Sequence, residues 1–253
     1  MIGSLFNEVL YRPFLNVLIL FYRLTGDLGI SIILLTLLIK FLLYPLLKKQ
    51  LSSRQDMKKI QPKLEAVKKQ HKDDKEKQGK AILALYKEEG VSPAAGCVPS
   101  LIQLPILIAL YRVFLPGKAL VINGGHLSIA ENMLYSWPIL QGITEINKIS
   151  LGIIDLTEKN IPLAVLSAVL QYLLTKMSID TNIGKGDGDK EGSMDTSTQM
   201  QKAMNTQMIY FMPVLTFFFG MSFPAALPLY WSASTAISIV QQWYFERKLQ
   251  QKS

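Results

Sequence analysis

Five apolar stretches, at about 29–47, 97–115, 161–178, 207–222 and 226–245, govern what this chain can fold into. A hydrocarbon core of about 30 Å takes roughly twenty residues of helix at 1.5 Å per residue, so the pattern predicts five membrane-spanning helices. The chain is 49% hydrophobic, yet it carries a formal charge of +8. Apolar and basic residues must therefore sit in different segments, as in a polytopic membrane protein. A basic soluble nucleic-acid binder would intersperse them, so specific nucleic-acid recognition is not expected. A single cysteine, Cys97, and two histidines, His71 and His126, lead us to expect no internal disulfide, no metal site and no cofactor. The run "DGDKEG" does not make a calcium loop, because Thr198 stands twelfth from Asp187 where a bidentate glutamate is needed.

The segments between the spans have distinct characters. Residues 1–27 are apolar but broken by Arg12, Pro13 and Arg23, with Leu15, Leu18, Ile19 and Tyr22 at helical spacing. That spacing predicts an amphipathic helix lying in the membrane interface. No basic segment precedes it and no small-residue cleavage site follows, so a cleaved signal peptide is not expected. Residues 51–92 mix strong helix formers with a dense run of charge, and a turn near "HKDDK" predicts a helical hairpin. The five-helix core is expected over 28–50 and 93–248. Within it, 119–159 reads as an outer loop with some interfacial structure, including a dipping helix in "LYSWPILQGI". Residues 179–206 read as a flexible loop, rich in Gly, Asp, Ser and Thr. The short "SFPAAL" forces the last two spans into an antiparallel pair.

Basic residues set the orientation. Residues 48–92 carry thirteen lysines and arginines, 179–207 carry three and 246–253 carry three, giving nineteen on one side. The other side has five: Arg12, Arg23, Lys118, Lys148 and Lys159. The larger group belongs in the cytoplasm, which places the hairpin, the 179–206 loop and the C-terminus inside and the N-terminus outside.

Lys40 is the residue that such a membrane protein has to explain. No charged residue occurs from Leu28 to Ile39, and seven uncharged residues separate Lys40 from Lys48. It lies about 12 Å inside the first span, and no acid occurs in any of the five spans to pair with it. Water is then the expected partner, so a polar groove is expected around the amine. Thr36 lies one turn earlier on the same helix, and Gln103 is the polar residue of the second span, so both are candidate lining residues. Two other readings stand beside this one: Lys40 snorkelling to the headgroups, and the Thr36 hydroxyl bonding back to its own helix.

The motifs "LLTLLIKFLLYPLLKKQ", "KKIQPKLEAVKKQ", "ALYKEEGVSPAAGCVPSLIQLPILIALYRVF", "FMPVLTFFFGMSFPAALPLYW" and "IVQQWYFERK" resemble, in order and separation, the bacterial YidC core of the YidC/Oxa/Alb family of membrane protein insertases. The resemblance covers about residues 10–248. It implies an all-α fold of five spans around a groove open to the cytoplasm and to lipid, with a mobile cytoplasmic hairpin. Lys40 stands where the family has a groove arginine, so the charge is kept without the forked donor geometry. By the same resemblance, Thr36, Gln103, Tyr230 and Trp231 are the other groove residues, and Ser222 stands where relatives can carry a tryptophan. Pro228 is expected to kink the last helix. Relative to the family, neither the large outer domain before the core nor an N-terminal lipid-bearing cysteine is expected.

The resemblance implies a bacterial plasma-membrane insertase and chaperone rather than an enzyme, with nascent membrane proteins and the lipid bilayer as partners. The ribosome and the Sec translocon are further candidates. The alternative is a small-solute or proton-coupled transporter, which would need inverted repeats and a membrane acid that the sequence does not provide. An intramembrane protease would need a nucleophile with its base, or paired aspartates, inside the spans.

Overall fold

The computed structural model describes residues 5–72, 74–92, 98–114, 120–123, 126–129, 133–143, 145–180 and 196–251. A π-helical turn at Asn7–Tyr11 runs directly into helix α1 (Arg12–Thr25), whose Pro13 cannot donate to the preceding turn. The apolar face of α1 is buried in protein, since Leu15, Leu18 and Ile19 have no exposed surface. Asn16 is buried with them and fully bonded. Its amide donates to Arg12 O (2.7 Å) and Met133 O (3.0 Å), and its oxygen accepts from Tyr135 N–H (2.6 Å). A buried amide without those bonds would be costly, so Asn16 fixes the 133–135 segment against α1.

α1 stops at Gly26, in a left-handed conformation (φ 70°), and Asp27 then caps α2 (Leu28–Leu42). Asp27 Oδ1 accepts from Ile30 N–H (2.9 Å) and from the Ser150 hydroxyl (2.7 Å), while Oδ2 accepts from Leu151 N–H (2.6 Å). One carboxylate therefore caps a helix and holds a loop more than 120 residues away. Gly29 makes the docking possible: a Cβ there would lie 2.1 Å from Ser150 Oγ and 2.8 Å from Ser150 Cβ. Partial burial works against the Asp27 charge, but the donors from Leu151, Ile30 and Ser150 outweigh it and hold its pKa below the ordinary aspartate value.

The first apolar stretch ends earlier than expected. α2 breaks at Leu43, and α3 (Tyr44–Gln70) leaves at an angle of 59°. The cause is Pro45 in the first turn of α3, which cannot donate to Phe41 O and whose ring would crowd that carbonyl in a continuous helix. The helical segment expected to begin at 51 thus begins at Tyr44. α4 (Lys75–Glu88) is capped by Asp74, which accepts from Lys77 N–H (3.0 Å), and returns along α3. The seam between them is thin, with Ile60, Leu64 and Leu85 buried and Gln78 donating to Lys68 O (2.9 Å).

α5 (Val98–Phe114) packs Ile106, Ala109, Leu110 and Val113 inward. The following segment departs from the all-α expectation. β1 (Leu120–Asn123), β2 (His126–Ile129) and β3 (Glu145–Asn147) form an antiparallel sheet in sequence order, with Leu127 opposite both Ile122 and Ile146. β4 (Ile149–Ser150) and β5 (Ile154–Asp155) pair separately. In place of a dipping helix, "LYSWPILQGI" contains one 3-10 turn at Pro138–Leu140. Its Leu140 joins Ile143, Ile146 and Leu156 in the core beneath α1 and α2.

α6 (Ile161–Asp180), α7 (Thr196–Ser222) and α8 (Ala226–Gln250) complete the bundle. The expected 179–206 loop is shorter at both ends, because α6 reaches Asp180 and α7 starts at Thr196; residues 181–195 lie outside the described set, as does Cys97. Gly220 lets α7 approach α6 closely, since a Cβ there would lie 2.9 Å from Ala164 Cβ. The α7–α8 turn is tied down by Ala225 N–H to Glu158 O (2.7 Å) and Ala226 N–H to Leu156 O (3.1 Å). Pro228 does not kink α8. It occupies the first turn, where a missing N–H costs nothing, and its carbonyl accepts from Ser167 Oγ at 3.0 Å.

The bundle wears its apolar side chains outside. On α8, Val240, Trp243 and Tyr244 are exposed while Ser232, Ser234 and Gln242 are buried; on α6, Val165, Val169 and Leu173 are exposed while Ser167 and Thr175 are buried. Among the described residues, Ile161–Ser178 is long and apolar enough to cross a bilayer, and the bent pair α2–α3 makes a second if it counts as one span. Gln103–Val113 and Ile209–Ser222 are shorter apolar helices.

Replacing Asp27 with alanine removes a helix cap and both loop bonds. We expect a stability loss of about 1–2 kcal/mol, read as a lower melting temperature in detergent. Because its pKa is lowered in the fold, the Asp27 contribution is complete above the unfolded value of about 3.9 and drains away as pH falls toward the native one. Wild type should therefore lose its advantage over Asp27→Ala on acidification from about pH 5; a gap that widened would contradict this account.

Candidate functional site

Six helices, α2, α3 and α5 to α8, border a cavity of about 400 Å³. Two cations face it: Lys40 from the last turn of α2, and Arg54 from about three turns into α3. The other polar lining is neutral and comes mainly from α6 and α8, including Gln171, Ser178, Ser234, Thr235, Ser238 and Gln242. Leu104, Leu174, Leu215, Phe219 and Trp231 supply an apolar wall. No carboxylate is in the described lining.

Lys40 crosses to α8, where Nζ donates to Ser238 Oγ (2.9 Å) and the Ser238 hydroxyl donates in turn to Ser234 O (2.9 Å). The amine is thus half-buried and held by a neutral acceptor. Gln241 Nε2 reaches Lys40 O (3.4 Å), a second tie between α2 and α8. An unpaired cation in a cavity walled by low-dielectric protein projects a positive potential into it. The Lys40 side chain therefore points into the cavity; it does not run along the outer surface to the membrane interface.

Three of the five residues expected at the groove line this cavity: Lys40, Gln103 and Trp231. Trp231 packs edge-on against Phe219 (6.5 Å between centroids) and Phe223 (6.3 Å), which fixes its ring in the apolar wall. Tyr230 lies behind the lining, 2% exposed, with its hydroxyl accepting from Gln103 Nε2. It orients the glutamine and does not itself line the space. Thr36 is corrected: it is 1% exposed, and its hydroxyl donates to Ile32 O at 2.6 Å. Positions 36 and 40 share a face of α2, but only the lysine stem is long enough to leave the helix packing. Ser222 lies away from the cavity, donating to Phe218 O (2.8 Å).

Arg54 and the polar stripe of α8 were not anticipated. Arg54 is one of thirteen basic residues in its segment, and its signal was the helical spacing of Leu47, Gln50, Leu51 and Arg54, all of which face the cavity. Ser234, Ser238 and Gln242 recur every four residues, a polar line inside a stretch read as an apolar span. Such a cavity can hold carboxylates at the cations, bond peptide groups through its amides and hydroxyls, and accept apolar side chains on the opposite wall.

The sequence model of the family described as 60Kd inner membrane protein matches residues 20–252. Among curated relatives, one from Pelobacter propionicus named membrane protein insertase YidC is 32% identical over 94% of this chain and 39% of its own length. Proteins of that name from Nitratidesulfovibrio vulgaris (strain Miyazaki F) and Haemophilus ducreyi are each 31% identical over 95% of this chain, and over 39% and 38% of their own lengths. The chain spans about two fifths of the length of the curated relatives it matches. With nearly all of its sequence matched, this chain belongs to the 60Kd inner membrane protein family, to which its motifs pointed.

Proposed function

We propose that this chain is a membrane protein insertase whose cavity takes the hydrophilic flank of a nascent membrane protein while its apolar segment moves into lipid. The observation that carries this is the pairing, in one cavity, of two cations that have no direct carboxylate partner among the described residues with an apolar wall of Leu215, Phe219 and Trp231. A translocating flank needs a polar route and its hydrophobic segment needs an apolar one. Lys40 attracts acidic residues of the flank, Gln103 and Trp231 contact it, and Tyr230 holds Gln103 in place. The cavity shortens the low-dielectric path for the flank, and burial of the new helix in lipid supplies the drive. The relatives' name supports the same activity, and nothing among them favours a small-solute or proton-coupled transporter.

In this reading α2, α5, α6, α7 and α8 are the five spans of a bacterial plasma-membrane protein, and α1 lies at the outer interface. α3 and α4 project into the cytoplasm as a hairpin, whose basic surface suits lipid headgroups and ribosomal RNA. The ribosome and the Sec translocon are the larger partners to be tested by co-purification. The low hydropathy of α8 has a direct cause here, because Ser234, Ser238 and Gln242 face the cavity while Val240, Trp243 and Tyr244 face lipid.

Charge at position 40 should matter more than shape. Lys40→Arg should keep insertion activity in membrane vesicles, Lys40→Ala should lower it, and Lys40→Glu should lower it roughly tenfold or more for substrates with acidic flanks, through like-charge repulsion. Equal activity of Lys40→Glu and wild type would remove the electrostatic role.

Accessibility gives an independent check. In a Cys97-free background, Gln103→Cys and Lys69→Cys should react with a hydrophilic thiol reagent supplied from the cytoplasm, and Asn123→Cys with one supplied from outside. Thr36→Cys should be inert to both. Labelling of Lys69→Cys from outside would reverse the orientation, and an inert Gln103→Cys would show that water does not reach the cavity.

A further inference from the structure

Arg54 differs from its basic neighbours. Lys59, Lys63, Lys77 and Lys80 pair with carboxylates on the exposed surface of α3 and α4. Arg54 turns inward to the cavity, where Nη1 donates to Ser178 Oγ on α6 at 3.2 Å. Among the described residues no carboxylate comes within ion-pair distance of it.

The contact continues across the cavity to α8. Ser178 Oγ donates to Gln242 Oε1 (3.1 Å), and Gln242 Nε2 donates to Glu246 Oε1 (2.9 Å). Burial pushes the Arg54 guanidinium below its ordinary pKa and the charge of Glu246 pulls it back up, though an arginine keeps its proton throughout. Arg54 is therefore a partly desolvated cation, with the compensating charge of Glu246 at the far end of a neutral relay.

The positions of the two cations follow from α8. Lys40 is held at Ser238 and Arg54, through Ser178, at Gln242, one helical turn nearer the C-terminus. The two levels are about 6 Å apart along the helix, close to the reach of two residues of extended chain.

We propose that Arg54 is a second anion subsite of the cavity, which binds one carboxylate of an extended acidic flank while Lys40 binds another two residues or more further along. Glu246 is the resting counter-charge, and an incoming carboxylate takes over its part. This makes Arg54 a specificity residue for flanks with paired acids, and it rests on the reading of the cavity as the substrate's path. Arginine suits the position because its planar fork can hold a carboxylate by two bonds and still reach Ser178.

The test uses the full chain in membrane vesicles, with insertion normalised to the amount of chain in the membrane. The substrates are three versions of one single-span protein, whose translocated flanks carry no aspartate, one aspartate, or two aspartates spaced two residues apart. Arg54→Gln should lower insertion of the two-aspartate flank roughly fivefold, the size expected for one charge contact, and leave the neutral flank unchanged. Arg54→Lys should restore most of the loss. Lys40→Gln should impair both acidic flanks. If Arg54→Gln lowers all three flanks equally, Arg54 is only structural and the proposal fails. If Arg54→Gln is silent on two aspartates while Lys40→Gln impairs them, the second subsite fails and the cavity reading stands. If Lys40→Gln is silent on every flank, the cavity reading fails and takes the proposal with it.

Discussion

An apolar surroundings is the constraint on which this architecture depends. With Val240, Trp243 and Tyr244 outward and Ser232, Ser234 and Gln242 inward, α8 is the inverse of a water-soluble amphipathic helix. Polar side chains on such a helix have two outlets, a neighbouring helix or an internal wet space. Ser167 takes the first, bonding Leu163 O, Pro228 O and Ser232 Oγ and so joining α6 to α8. Lys40, Gln103 and Gln242 line the internal space and also bond across it, to Ser238, Tyr230 and Ser178. The cavity is thus where these polar groups are gathered, away from the apolar exterior.

The two ends of the bundle differ in kind. At the end near Asp27, one carboxylate, Gly29 and the 145–158 segment lock α2 to the loop, and Ala225 and Ala226 are pinned to the same segment by backbone bonds. Tyr11, Leu15, Leu140, Ile146 and Leu156 fill the space beneath. The other end is held by side-chain bonds, Arg54 to Ser178 and Ser178 to Gln242, which break and reform more readily than a packed core.

The sequence was most legible where composition and period act together. The long apolar runs, the buried face of α1 at Leu15, Leu18 and Ile19, and Lys40 as an isolated cation could all be read from spacing. Pro45 was overlooked as a helix breaker because the apolar run passes through it, and the bend appears only once the carbonyl it crowds is considered. Thr36 was placed in the groove by helical phase, which gives direction but not reach. Arg54 was hidden because a charge that faces a cavity and one that faces water look alike in a basic run. The strands of 120–155 escaped because each is only two to four residues long, too short for an alternating pattern to register.

The break at Leu43 gives α3 the mechanics of a long arm on a short pivot. Its 27 residues extend roughly 40 Å from the pivot. A tilt of about 10° there sweeps the far tip through about 7 Å but moves Gln50, near the root, by less than about 2 Å. The same tilt thus leaves the rim of the cavity almost unchanged, and a load on the tip reaches Arg54, on the same arm, geared down in distance and multiplied in force.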